Sequence, residues 1–118
     1  MRAVVIVPLF NEEETVAEVL VEVRRHTTAE IVVVNDGSTD GSGRVLERSG
    51  PGVRVITHAL NEGYGQSLID GFGYAVDHHF DVAVTIDCDR QHEPRLIPRF
   101  LEAGEAFDIV SGSFISLS

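Results

Sequence analysis

Four short runs dense in β-branched residues, at 3–7 (AVVIV), 30–34 (EIVVV), 53–57 (VRVIT) and 82–86 (VAVTI), recur along the chain with helix-like segments between them. A fifth, shorter run occupies 108–111. Apolar residues at successive rather than alternate positions suit strands buried on both faces, the condition of a parallel sheet flanked by helices. Between the runs, residues 13–25 carry Val16, Val19, Leu20 and Val23 at helical spacing. Residues 39–48 open on a Ser-Thr-Asp cap signal, and 66–78 place Leu68, Ile69, Phe72, Ala75 and Val76 on one helical face. Pro94 is suited to the first turn of a further helix running to Gly104. The expectation is an α/β fold with a Rossmann-like, mostly parallel sheet of about five strands, helices on both faces, and one domain spanning 1–118.

In open sheets of this kind ligands bind beyond the carboxyl ends of the strands, near the point where strand order reverses. The polar segments collect at those ends: 8–13 (PLFNEE) after the first run, 35–40 (NDGSTD) after the second and 87–92 (DCDRQH) after the fourth. Asp87 and Asp89 share one face if the strand continues through them, so both carboxylates can converge on one hard cation that still has coordination to spare for a diphosphate. Gln91 lies just beyond them. Cys88 would point to the opposite side, where a small packed residue is expected rather than a nucleophile. The pair of acids predicts a nucleotide-handling site.

Other segments admit two readings. Asp36 is placed to accept a hydrogen bond from a ribose hydroxyl or a base N–H, whereas Ser38, Thr39 and Asp40 read as turn and cap residues for the next helix. In 61–65 (NEGYG) the glycines, Gly63 among them, either let the backbone pass close to a ligand or simply take the turn into the following helix. His58, His78 and His79 read as solvated or helix-end residues, His92 as a candidate helper of the acids, and Phe72, Phe100 and Phe107 as core.

Composition excludes several classes. A formal charge of −10 argues against a nucleic-acid or anionic-membrane surface. All nine cations are arginines, so phosphate must be met by Arg, backbone N–H groups or a metal. One cysteine rules out an intrachain disulfide and a multi-thiolate zinc site. The opening apolar stretch is too short for a signal peptide or a membrane span, which points to the cytoplasm. Hydride transfer on NAD would need a Gly-x-Gly-x-x-Gly turn after the first strand, and none is there. A response-regulator receiver would need a lysine.

Taken in order, 7–12 (VPLFNE), 34–38 (VNDGS), 61–65 (NEGYG), 87–92 (DCDRQH) and 110–113 (VSGS) resemble the donor-binding half of inverting GT-A glycosyltransferases of family two. Within that family the chain looks most similar to the polyprenol (dolichol) phosphate mannosyl- and glucosyltransferase branch. The resemblance implies that Pro8, Phe10, Glu12 and Asp36 line a nucleoside pocket, with Gly63 a further donor contact. It implies that Asp87, Asp89 and Gln91 bind Mg²⁺ or Mn²⁺ across the donor phosphates, Asp89 being the expected catalytic residue. It implies a nucleotide-sugar donor of the GDP-mannose or UDP-glucose type, a polyprenyl or dolichyl phosphate acceptor, and work at the inner face of a membrane. Arg90, Glu93 and Phe114 depart from the family pattern, where a small residue, a proline and an arginine are usual. Relatives continue past the position of Ser118 with an acceptor-binding half, so a non-catalytic nucleotide-binding module is the rival expectation. A sugar-phosphate nucleotidyltransferase would want a Gly-rich, Arg- and Lys-bearing loop after the first strand. A shortened sheet is expected to leave an apolar edge that favours self-association.

Overall fold

The structure, a computed structural model, describes residues 2–86 together with 109–110 and 114–116. Element order is β1 (Ala3–Leu9), α1 (Val16–His26), β2 (Glu30–Asp36), α2 (Ser42–Glu47), β3 (Val53–His58), α3 (Tyr64–Asp77), β4 (Val82–Thr85), β5 (Ile109–Val110) and β6 (Phe114–Ser116). The sheet runs β3-β2-β1-β4-β6-β5. The first four of these strands are parallel to one another, and β6 is antiparallel to both β4 and β5.

The apolar runs of β1, β2 and β4 are covered on both sides as expected, whereas β3, at the sheet edge, leaves Arg54, Val55 and Thr57 exposed because among the described residues no further strand or helix covers it. Val4, Val5, Ile6 and Val7 are all fully buried. Val5, Val7 and Leu9 pack with Val16, Val19, Leu20 and Val23 of α1 and Leu46 of α2. Val4 and Ile6 pack on the other side with Val32, Val34, Ala75 of α3 and Phe80. Each buried Val or Ile contributes roughly 1.5–3 kcal/mol, so β1, in the middle of both layers, is the spine of the fold. Strand order reverses between β1 and β4, since β2 and β3 lie to one side and β4 to the other. Ile86, which follows β4, donates its N–H to Ile6 O at 3.0 Å and so sits beside β1.

Several expectations are refined. β1 and β2 run on through Leu9 and Asp36, because parallel pairing continues through Pro8 with Val34 and Leu9 with Asn35. Helix α1 begins at Val16, three residues late, where Glu12 O accepts the Thr15 and Val16 amides. In α3 the buried stripe is Ser67, Gly71 and Ala75, while Ile69 and Val76 face solvent. Small residues line that stripe because the helix lies close on β1: a Cβ at Gly71 would come 2.6 Å from Ile6 Cγ2. Phe72 is packed against the core as expected. The strand β6 had no sequence counterpart in our expectation. The helix anticipated after Pro94, and Phe100 and Phe107, lie outside the described residues. Among the described residues no helix is long and apolar enough to cross a membrane.

Candidate functional site

A cavity of about 360 Å³ opens where β1 and β2 end and α3 begins, lined by Pro8, Leu9, Phe10, Asp36, Asn61, Gly63, Tyr64 and Ser67. Phe10 and Tyr64 leave about half their surface to solvent, 45% and 54%, which puts two aromatic faces at its mouth. A second groove of about 490 Å³ lies between α1, α2 and the start of β3, but its lining holds Leu20, Val21, Val45 and Val53 and no acid. The first cavity sets an amide, Asn61, and a hydroxyl, Ser67, beside two aromatic faces at the ends of the strands, whereas the second is lined mainly by aliphatic side chains.

Two loops build its wall. The segment after β1 is held by the one after β2: Asn11, Glu12 and Glu13 donate their successive amides to Ser38 Oγ (3.0 Å), Ser42 Oγ (3.1 Å) and Asp40 Oδ2 (3.2 Å). Asn11, at φ 52°, returns the grip by accepting the Thr39 amide on Oδ1 at 2.8 Å. Asp40 also accepts the amide of Ser42, the first residue of α2, at 2.9 Å, so it serves the start of that helix from one residue before its N-cap, Gly41. Burial pulls the Asp40 carboxyl upward, and the bonds from Ser42 and Glu13 more than offset this, leaving it below the ordinary value.

The second loop hangs on Asp36. This residue is 3% exposed, and its two carboxylate oxygens receive four donors. His58 Nδ1 (2.8 Å) and the Glu62 amide (2.7 Å) meet Oδ1; Asn61 Nδ2 (3.0 Å) and the Gly63 amide (2.9 Å) meet Oδ2. Burial raises the Asp36 carboxyl, but the bond from His58 and those from the Glu62 and Gly63 amides outweigh it, and the net displacement is downward. Gly37 makes the close approach of the two segments feasible. Its φ is +68°, and a Cβ there would run into the backbone of Leu60 and Asn61.

His58, behind this wall, is the buried partner of Asp36 that the sequence reading missed. It was expected at the surface, yet it is 8% exposed, and its other nitrogen, Nε2, lies 2.6 Å from Asp70 Oδ2. Parallel pairing sets Asp36 directly beside His58, so the signal was available once β2 and β3 were aligned at their last residues. The bond to Asp36 raises the His58 pKa, burial opposes this, and Asp70 and Glu62 add to the rise, so the ring is held above its ordinary value. His58, Glu62 and Asp70 offer atoms within 4.8 Å of one another, a spacing a cation could span. Both ring nitrogens are already committed to carboxylates, which makes this cluster an ion network. His78 and His79 lie exposed around the end of α3, as expected.

Of the residues expected at the site, Pro8, Phe10, Asp36 and Gly63 therefore come together. Glu12 is not part of this lining: its carboxylate accepts from Thr15 Oγ1 at 3.2 Å at the start of α1. Asp87, Asp89 and Gln91, with Cys88 and His92, lie outside the described residues.

Comparison with known proteins gives a consistent family. The profile described as Glycosyl transferase family 2 matches residues 4–116. An undecaprenyl-phosphate mannosyltransferase of Micrococcus luteus is 34% identical over 117 residues, covering 96% of this chain and 48% of the relative. An undecaprenyl-phosphate 4-deoxy-4-formamido-L-arabinose transferase of Edwardsiella ictaluri is 35% identical over 119 residues, covering 90% of this chain and 35% of the relative. The chain thus spans half or less of the curated relatives it matches. Among solved structures, the mannosyltransferase PcManGT of Pyrobaculum calidifontis, in complex with GDP-Man and Mn²⁺, superposes with a TM-score of 0.66 at 26% identity, over 75% of this chain and 27% of that one. Glucosyl-3-phosphoglycerate synthase of Mycobacterium tuberculosis, with Mn²⁺, UDP-glucose and phosphoglyceric acid, gives 0.67 at 25% identity, over 82% and 36%. The fold is that of the GT-A glycosyltransferases.

Proposed function

The chain belongs to glycosyl transferase family 2, and on that premise we propose that it forms the donor-binding half of an inverting hexosyltransferase. The observation that carries this is the cavity between the ends of β1 and β2 and the start of α3, with acceptor groups and two aromatic faces at one mouth. Pro8, Phe10 and Tyr64 offer apolar surface to a nucleobase, and the Asn61–Gly63 segment gives the backbone wall beside it. Asp36 belongs to the same lining, close to the base or ribose. Donors of the GDP-mannose or UDP-glucose type fit this arrangement.

The divalent ion, Mg²⁺ or Mn²⁺, would be held by Asp87, Asp89 and Gln91. When bound it supplies positive charge to the donor diphosphate as the sugar–oxygen bond breaks. Two observations support a cation there: Ile86 lies beside Ile6, one strand from the residues that open the cavity, and the described lining of that cavity holds neither arginine nor lysine. A polyprenyl phosphate is the proposed acceptor. Its oxygen is already anionic, so no strong general base is required, and attack from the face opposite the leaving diphosphate inverts the anomeric centre.

The test is calorimetric titration of the protein with UDP-glucose and GDP-mannose, with and without Mn²⁺, beside the Asp89→Ala variant. Metal-dependent binding that the variant loses is the expected result. Binding unchanged by the substitution would remove the metal assignment. Binding without transfer to a polyprenyl phosphate, even in the full-length gene product, would make this a donor-binding module.

A further inference from the structure

Both ring nitrogens of His58 meet a carboxylate oxygen at hydrogen-bonding distance, Nδ1 to Asp36 at 2.8 Å and Nε2 to Asp70 at 2.6 Å. A neutral imidazole has one hydrogen and one lone pair, so in that form one of these contacts would set lone pair against lone pair. Asp36 has no room for the missing hydrogen, since its four acceptor positions already face His58, Asn61, Glu62 and Gly63. With Asp36 and Asp70 both ionised, the contacts are satisfied together only when the ring is an imidazolium. It is surrounded by acids from each element packed on it: Asp36 from β2, Glu62 (3.5 Å) from the loop before α3, and Asp70 from α3 itself. Gln66 donates to the other Asp70 oxygen at 2.9 Å and steadies that end.

Resting on the donor-pocket assignment above, we propose that His58 is a positioning residue for the donor: as an imidazolium between Asp36 and Asp70 it fixes the carboxylate that caps the Asn61–Gly63 wall. The chain of causes is short. Asp36 orients the Glu62 and Gly63 amides; His58 orients Asp36; Asp70 orients His58. When the ring loses its proton, three carboxylates surround a neutral group, one contact becomes repulsive and the wall beside the donor loosens. The upward displacement of the His58 pKa agrees with this picture and gives its direction: the wall is formed while Asp36 is ionised and the ring protonated, and is lost as pH rises through the elevated folded value of His58. His58 need not touch the donor.

The experiment follows the His58 ring nitrogens by ¹⁵N NMR through a pH titration, together with hydrogen exchange at the Glu62 and Gly63 amides. In parallel, binding of UDP-glucose and GDP-mannose in the presence of Mn²⁺ is measured over the same range, for the wild type and for Asp70→Asn. The Asp70 change sits at the half-open end of the network, so the fold is expected to survive it. The expected result is two protonated ring nitrogens at neutral pH, with amide protection and donor affinity falling together as the ring titrates. In Asp70→Asn all three midpoints move to lower pH. A neutral ring at neutral pH, or protection and affinity that ignore the ring's titration, would overturn the proposal. If no nucleotide binds at any pH while the ring and the amides titrate together, the donor-pocket assignment fails and the positioning role falls with it, an outcome the NMR data separate from a network that never formed.

Discussion

Replacing Asp36 by Asn keeps the shape of the side chain and removes half of its accepting capacity. The native carboxylate accepts from His58 Nδ1, Glu62 N, Asn61 Nδ2 and Gly63 N at 2.7–3.0 Å. An amide has one oxygen, and its NH₂ turns two hydrogens toward donors that need an acceptor. With the oxygen kept toward His58 and Glu62, the NH₂ faces Asn61 and the Gly63 amide. Asn61 can fall back on Asp36 O, now 3.3 Å away, but Gly63 N has no such alternative. One stranded, partly buried N–H costs about 1–3 kcal/mol, and replacing an ionic partner of His58 by a neutral one costs about 1–2 more. The sum, about 2–5 kcal/mol with the lower end suited to groups partly open to water, is a large share of a typical domain stability of about 5–15 kcal/mol. The pH dependence gives the sharper check. His58 has a folded pKa above 6.5, so its contribution is full below that value and disappears as pH rises through the folded one. Asp36 has a folded pKa below 3.8, so its contribution is full above 3.8 and disappears as pH falls through the folded one. The penalty for Asp36→Asn should thus be largest in weak acid and shrink in alkali, where wild-type His58 has itself lost its charge. Urea unfolding at about pH 6 and about pH 9, either side of the ordinary histidine range, measures both. A penalty under about 1 kcal/mol at the lower pH, or one equal at the two values, would refute the charge network as described.

Gly37→Ala is expected to lose stability by about 2–4 kcal/mol and to weaken donor binding with it, because the added methyl strikes the backbone of Leu60 and Asn61 at a positive φ; denaturant titration and calorimetry on the same variant report both. Two glycines of α3 should respond with opposite signs. Gly71→Ala pushes Ile6 Cγ2 from 2.6 Å and should destabilise by about 1–3 kcal/mol, whereas Gly73→Ala meets nothing within 4 Å and should stabilise by about 0.5–1 kcal/mol; thermal melts of the pair decide it. The edge strand β3 leaves Val55 37% exposed, and sedimentation at micromolar concentration is expected to show self-association, a monomer counting against it.

The alternation of runs was legible because it is a local property: β1, β2 and β4 are apolar on both faces and α1 carries its own periodicity, whereas the exposed edge of β3 and the small-residue stripe of α3 depend on their neighbours. Its limits were legible only where the next residue changed character. Leu9, Asn35 and Asp36 belong to strands through pairing with neighbours, which no window of sequence displays. The same holds for β6, three residues whose status depends on β4 lying alongside. Around the cavity, Asp36 was singled out because it ends a run, where an α/β sheet keeps its ligands, Gly63 for its loop, and Pro8 and Phe10 through the family resemblance; the fold lines one cavity with all four. His58 also ends a run, but its meaning comes from Asp36, 22 residues earlier, and Asp70, 12 later. Glu12 was expected in the cavity on the strength of its motif, and the turn into α1 takes its side chain to Thr15 instead.

Charge at the cavity leads to a last, separable expectation. Its lining contains no arginine, and the chain has no lysine. Asp36 in the lining and Glu62 and Asp70 behind it face one cation, His58, so the wall is net negative by about two charges when all are ionised. A diphosphate brought near such a wall is repelled, by about 1 kcal/mol per charge pair at 4 Å in water and about 4 kcal/mol where solvent is partly excluded. The apolar surface of Pro8, Phe10 and Tyr64 is indifferent to this, since stacking does not depend on the phosphates. Binding should accordingly divide by ligand: a free nucleoside should bind weakly and equally with or without Mn²⁺, while the nucleoside diphosphate and the nucleotide-sugar should gain at least about tenfold from the metal, which is about 1.4 kcal/mol. Raising salt should narrow the gap by screening the repulsion in the metal-free state. A nucleoside whose affinity itself required Mn²⁺ would mean that the metal organises the base pocket rather than offsetting charge. A diphosphate that bound equally well without metal would mean that a cation outside the described wall, an arginine such as Arg90, already does so.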